Sequence, residues 1–358
     1  MKQIICLSHS PWSARPNRTQ QLLTRLSDVQ VLFFEPPSHA EREGRNGLRV
    51  RPNVTVYSLP ALIFGDVEHP ILQNYNRNRL SRYIGKIMEA HSFKSPVLWC
   101  TTPENVFMLD HLPYRGLVYD CHDEWDEFPL EWESELTFAA DVVFAASPGL
   151  KARLSPCNDN IAVIPNGANH RMFLRDGLNP PASIARLKAP LFARIGDITA
   201  DLELQPLVYT AQRRPDWTFL MLGRVSQSAS RTLSSLPNVV LSGAVPTVEL
   251  PDYLSGCGIL FDLIHSSQRG CDIVPSRIYE YMSTGKPIVC MVEPEAVEIF
   301  PDVIYTAYDA NGFLRRCQAA LDESNPSAAQ RRLEYARRSS WSCRADEIIR
   351  ILESTGLF

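Results

Sequence analysis

The strongest constraint on the fold is a pattern of short apolar runs separated by helix-length segments, and the pattern occurs twice. The first series runs through 2–8 ("KQIICLS"), 29–34 ("VQVLFF"), 96–100 ("PVLWC"), 116–120 ("GLVYD"), 141–146 ("DVVFAA") and 160–164. The second runs through 191–196, 217–223 ("WTFLMLG"), 238–242, 258–263 ("GILFDL"), 287–292 and 303–306. Continuous apolar runs, rather than alternating ones, suit parallel strands covered on both faces. The fold class is therefore α/β: two tandem Rossmann-like, doubly wound domains. The seam falls near "IPNGANHRMF" (164–173), where Asn-Gly punctuates the end of the first series, and "LRDGLNPPAS" follows as linker. This divides the chain into 1–170 and 171–340, with a closing helix at 341–358 returning to the first domain. Ligands of open α/β sheets sit outside the C-terminal ends of the strands, so two such domains predict a site in a cleft built from loops of both.

Composition agrees with a globular chain: of 358 residues, 45% are hydrophobic and 21% charged. The nine Cys stand singly, without a Cys-x-x-Cys pair or a signal-peptide pattern, and read as buried thiols of a cytoplasmic protein. No apolar run approaches the 18 or so residues that span a bilayer. Net charge is -4, but residues 1–95 hold 13 Lys and Arg against 7 Asp and Glu, so the N-terminal part is basic and the remainder acidic. That asymmetry hints at an anionic partner for the first half. It is not evidence for a nucleic-acid partner, since no binding module is recognisable.

Chemistry concentrates in "CDIVPSRIYEYMSTGKPIVC" (271–290). Ser276 is placed to cap a helix running toward Gly285, with Arg277 and Glu280 on one face and Ile278, Tyr281 and Met282 facing the sheet. A helix start favours phosphate, Arg277 adds a cation, and Glu280 one turn inside offers a carboxylate to a vicinal diol. Asp272 lies further along, in the loop ahead of the helix. The bland alternative is an exposed Arg277–Glu280 pair at i, i+3, worth little.

Asp272 to Glu280 followed by "YMSTGKPIV" resembles the acidic-x7-Glu region of retaining glycosyltransferases of the B fold, the family-4-like enzymes of bacterial polysaccharide, glycolipid and natural-product synthesis. "YDCHDEW" (119–125), "ADVVFAASPGLKARL" (140–154), "VIPNGANHRMF" (163–173), "RRPDWTFLMLGRV" (213–225) and "SSWSCRADEIIRIL" (339–352) resemble the same family in order. Two departures stand out: Asp272 replaces the usual Glu, and Ile273-Val274-Pro275 replaces a Gly-rich turn.

The resemblance implies transfer of a hexose from a nucleotide sugar, a UDP- or GDP-sugar, to a glycan, lipid-linked or small-molecule acceptor, with retention and without a separate cofactor. It implies that Glu280 binds ribose, Asp272 the sugar hydroxyls, and Arg277 and Ser276 the diphosphate. Gly196 is then the glycine that lets the loop approach the phosphates, with Arg194 a second cation and Val245, in "GAVP", near the base. Arg277 would stabilise the leaving group. No Asp-x-Asp triplet occurs, so no metal is expected. On the acceptor side, His122 follows the strand "GLVYD" as a catalytic candidate, and an inverting reaction would draw its base from Asp120, His122 or Asp123. The loop 8–18 adds Ser8, His9 and Arg15 as acceptor contacts.

The basic amphipathic segment 69–91 either docks peripherally on an anionic membrane or packs its apolar stripe into the core. Rival readings are a nucleotide-sugar epimerase or phosphorylase on the same fold, and a catalytically silent partner-binding protein. A dehydrogenase is disfavoured by the lack of Gly-x-Gly-x-x-Gly after either leading strand.

Overall fold

The computed structural model describes residues 2–13, 15–37, 46–62, 70–266, 271–291, 300 and 302–358, excluding the side chains of residues 46 and 70–72. The chain divides into two compact units, Met1–Pro165 with Trp341–Phe358, and Asn166–Ser340. The division falls a few residues before the expected 170, because Ala168 bridges to Ser340 and so belongs with the second unit.

The first unit is built on an eight-stranded sheet of β1 (Lys2–Leu7), β2 (Val29–Glu35), β3 (Asn46–Arg51), β4 (Val54–Ser58), β5 (Val97–Cys100), β6 (Gly116–Cys121), β7 (Val142–Ala145) and β8 (Ile161–Val163). Its order is β3-β4-β2-β1-β5-β6-β7-β8. All neighbours pair in parallel except β3 with β4. The β3–β4 edge is absent from the apolar-run reading. Its signal is the quieter kind, a Pro52-Asn53 turn followed by Val54 and Val56 buried to either side of Thr55.

The second unit holds six parallel strands, β9 (Leu191–Ile195), β10 (Thr218–Leu222), β11 (Val239–Gly243), β12 (Ile259–Asp262), β13 (Ile288–Met291) and β14 (Tyr305–Ala307), ordered β11-β10-β9-β12-β13-β14. Each sheet reverses its winding once, between β1 and β5 and between β9 and β12, and a doubly wound sheet opens a crevice at such a reversal.

The closing helix Trp341–Ser354 buries Trp341, Ala345, Ile348 and Leu352 at 4-3-4 spacing in the core of the first unit. The helix Pro70–Ala90 likewise buries Ile84, Ile87 and Met88, leaving Arg82 and Lys86 exposed. Its apolar stripe is therefore core. Among the described residues no helix is long and apolar enough to cross a membrane. Six of the nine Cys are buried, whereas Cys157 and Cys271 are half-buried and Cys343 is exposed, which corrects the expectation of uniformly buried thiols. Cys343 lies between Trp341 and Ala345 but off the stripe they form, so it faces outward.

Candidate functional site

In the second unit the winding reversal brings a cationic cluster together. Arg194 leaves the sheet near the end of β9 and is fully buried. Its Nε donates to Asp262 Oδ1 at 2.9 Å, across to the end of β12. Asp262 Oδ2 accepts from Arg277 Nε at 2.5 Å. Two guanidinium groups thus share one carboxylate.

The cluster is held from below by backbone. Arg194 Nη1 donates to the carbonyls of Gly196 at 3.1 Å and Asp197 at 3.2 Å, fixing the turn that follows β9. Gly196 adopts φ +112, a conformation that disfavours any side chain, and the position its Cβ would take lies 3.8 Å from Arg277 Cδ. Gly223, at the end of β10, lies so close that a Cβ there would fall 2.1 Å from the Gly196 carbonyl oxygen. The turn is therefore both left-handed and tightly backed.

Burial lowers the Arg194 pKa, and Asp262 pulls the other way. For Arg277 burial is the largest influence and also opposes the charge, but Asp262, Tyr281 and Cys290 together outweigh it and hold the pKa above its ordinary value. A guanidinium stays protonated through such shifts, so the cluster keeps two positive charges against one negative. Arg277 Nη2 has no hydrogen-bond partner among the described residues. His265 reaches Arg194 Nη2 at 3.5 Å and Asp201 at 3.3 Å, and burial, reinforced by Arg277, keeps its pKa below the usual imidazole value.

Arg277 and Glu280 stand on the helix Ser276–Met282. Pro275 occupies the cap position and makes no side-chain cap bond, so Ser276 is the first helical residue rather than its cap. Ile278, Tyr279, Tyr281 and Met282 are buried, while Ser276, Arg277 and Glu280 remain partly exposed. The Tyr281 hydroxyl accepts from the Ile195 amide at 2.8 Å, locking the helix to the end of β9. In the Ile273-Val274-Pro275 stretch, Val274 packs into the core and its carbonyl accepts from Asn166 Nδ2 at 3.0 Å. Asp272, just ahead, is buried at 9% exposure. Val245 packs its side chain into that same core.

The acceptor-side candidates lie in the first unit. Asp120, next to last in β6, is fully buried, and its Oδ1 takes two bonds from Arg18, Nε at 3.0 Å and Nη2 at 2.9 Å. That removes Asp120 from the candidate bases: it is a buried counter-ion. Its Oδ2 and Arg18 Nη1 find no partner among the described residues. His122 Nδ1 lies 3.0 Å from the Asp120 carbonyl. A carbonyl only accepts, so Nδ1 carries the proton and Nε2 is the basic nitrogen. The His122 ring meets Trp125 edge-on at 5.5 Å, and His9 meets the same Trp125 at 5.0 Å. Asp123 is exposed and accepts from the Glu124 amide at 3.0 Å. Ser8 is buried, its hydroxyl bonded to the Ser10 carbonyl at 2.8 Å, and Arg15 is exposed. Ser8 is thus engaged locally, whereas His9 and His122 share a ring environment.

Arg18, Asp262 and His265 were missed in the sequence. Asp262 carried a weak signal, a carboxylate closing an otherwise apolar strand. Among the described residues no group of three or more His, Cys, Asp or Glu could hold a metal ion.

No protein-family model matches the chain. It is 22% identical over 305 residues, 77% of each chain, to TuaH of Bacillus subtilis strain 168, named as a teichuronic acid biosynthesis glycosyltransferase. Among solved structures it is similar to sucrose-phosphate synthase from Thermosynechococcus elongatus, with TM-score 0.75 and 14% identity covering 99% of both chains. It is also similar to HepE of Anabaena in complex with UDP and glucose, with TM-score 0.67 and 15% identity over 99% of this chain and 100% of that one. With its two doubly wound parallel sheets, the chain has the fold of the B-type glycosyltransferases.

Proposed function

We propose that the protein is a hexosyltransferase that draws its sugar from a UDP-sugar and transfers it with retention. The observation that carries the reading is the net positive cluster of Arg194, Asp262 and Arg277 at the β9–β12 reversal, where Arg277 lies against the Gly196 turn and its Nη2 has no hydrogen-bond partner among the described residues. A preorganised cation at that point favours a diphosphate in the ground state, and favours it more as the sugar bond breaks and charge grows on the leaving oxygen. The fold shared with HepE, which was captured with UDP and glucose, supports UDP as the nucleotide.

In this reading Glu280 takes the ribose and Asp272 the sugar hydroxyls. His9 and the Nε2 of His122 serve a carbohydrate, lipid-linked or small-molecule acceptor. Retention places little demand on an enzymic base, which agrees with Asp120 being committed to Arg18. Peripheral membrane contact would rest on the basic face of that helix, where Arg82 and Lys86 are exposed, since Ile84, Ile87 and Met88 of its apolar stripe are buried.

The test is thermal melting with UDP and UDP-glucose, alongside a transfer assay, in wild type and Arg277→Ala. A ligand at 100 times its Kd stabilises by about 2.7 kcal/mol. A melting shift in wild type that disappears in Arg277→Ala supports the assignment; an equal shift in both proteins refutes it.

A further inference from the structure

The proposed donor seat leaves a second feature of the molecule unused. At the winding reversal of the first unit, beyond the ends of β1 and β5, lies a cavity of about 570 Å³. That volume falls in the range of about 300 to 1,000 Å³ common for small-molecule sites. Leu7, Ile84 and Met108 line it and are themselves nearly inaccessible. Phe107, Phe128 and Trp132 also line it. Phe107 meets Trp132 at 4.5 Å and 76°, and Phe128 meets Trp132 at 6.1 Å, so the three rings brace one another. Arg77, which also lines it, lays its guanidinium over the Phe107 ring at 4.1 Å.

Gln73, Asn76, Thr102, Glu104, Asn105 and Glu127 add polar groups to parts of the lining, but most of the residues that line it are apolar. A pyranose placed against the aromatic and aliphatic part of the wall would give up hydrogen bonds to water for carbon surface, at a cost for each unpaired group. Apolar matter entering the same space gains by leaving water. Yet His9 also lines the cavity, and His9 and His122 meet the same Trp125 ring. Polar chemistry therefore adjoins an apolar chamber.

We propose that this cavity is an aglycone subsite: it takes the apolar, non-carbohydrate end of an acceptor, an aromatic ring or a short hydrocarbon, and leaves the acceptor's hydroxyl toward His9 and His122. The word acceptor rests on the transferase reading above; the binding itself does not.

The test titrates the full chain with methyl, phenyl and octyl β-D-glucopyranoside by saturation-transfer NMR, in wild type, Leu80→Trp and Phe107→Ala. Leu80 lines the cavity, so Trp there fills it, and Phe107→Ala removes part of its wall. A folded melting profile is required of each variant, and either one alone suffices. In wild type the phenyl or octyl glycoside is expected to bind at least about tenfold tighter than the methyl glycoside. That preference should collapse toward one in the variants. A phenyl preference identifies an aromatic aglycone, and an octyl preference a lipid one. Equal affinities, no binding by any of the three, or a preference that survives both variants would overturn the proposal. UDP melting shifts measured on the same samples separate the two ideas: their absence sinks the transferase reading, while the glycoside ratios judge the cavity alone.

Discussion

Both units place an aspartate at or next to the end of a strand near their winding reversal, and each uses it differently. In the first, Asp120 meets one arginine, Arg18, and the pair is almost fully buried, with side chains 0% and 4% exposed. In the second, Asp262 meets two arginines, Arg194 at 0% and Arg277 at 19% exposure. One pair is balanced and sealed, while the other cluster carries a surplus positive charge that reaches the surface. The difference teaches how charge count separates a structural ion pair from a ligand seat: the Arg18–Asp120 pair carries no net charge to attract an anion, even with Asp120 Oδ2 and Arg18 Nη1 lacking partners among the described residues, whereas two cations on one carboxylate still attract one.

The largest effect should come from breaking the balanced pair. Asp120→Ala leaves Arg18 buried without its counter-ion, and we expect a loss of about 3–5 kcal/mol in denaturant unfolding. Most of it should return in the double variant Arg18→Met/Asp120→Leu, and a mild Asp120→Ala phenotype would remove the structural role assigned to the pair.

Next is the seat. Arg277→Ala leaves Arg194 paired with Asp262, so stability should change little while UDP affinity falls by roughly 10 to 100-fold, as for loss of a charge-assisted bond of about 1.5–3 kcal/mol. Calorimetric titration reads this directly, and a large stability loss with unchanged affinity would reverse the contrast drawn above.

A smaller loss, about tenfold or 1.4 kcal/mol, is expected for UDP binding to Glu280→Ala. It should vanish when 2′,3′-dideoxy-UDP is the ligand, because the diol is then missing already. A full tenfold loss with the dideoxy compound would show that Glu280 acts on something other than ribose.

The smallest effect concerns pH. His265 is held below its ordinary value, first by burial and then by Arg277. With the folded value depressed, the imidazole of the unfolded chain protonates first as pH falls. Stability should therefore be unaffected above about 6.5 and decline below it, through the folded value. Arg277→Ala should move the His265 resonance midpoint upward in an NMR titration; an unmoved midpoint would uncouple the histidine from the cluster.

What was legible in the sequence was local. Parallel strands covered on both faces announce themselves as continuous apolar runs, and the helix bearing Arg277 and Glu280 announces itself through Pro275, Ser276 and Gly285. The cap itself was displaced by one residue because Pro275, with its fixed φ, already supplies the extended geometry the position needs. What was illegible was pairing. Asp120 looks like a base at the end of a strand until Arg18, 102 positions earlier, is seen to hold it. Asp262 reads as the polar end of an apolar strand until Arg194, 68 positions earlier, donates to it. Such partners are chosen by the sheet order, which brings β9 beside β12, and no spacing along the chain encodes it.

The return of the closing helix has a consequence for the order in which the molecule comes into being. The wall formed by Trp341, Ala345, Ile348 and Leu352 is synthesised after all of Asn166–Ser340. At about 5–20 residues per second, the first unit waits on the order of ten to thirty seconds with that side of its core open. The inserted unit has its whole sequence available before the unit that began first. A released chain truncated just before Trp341 should therefore expose apolar surface on its older half while its younger half is already closed.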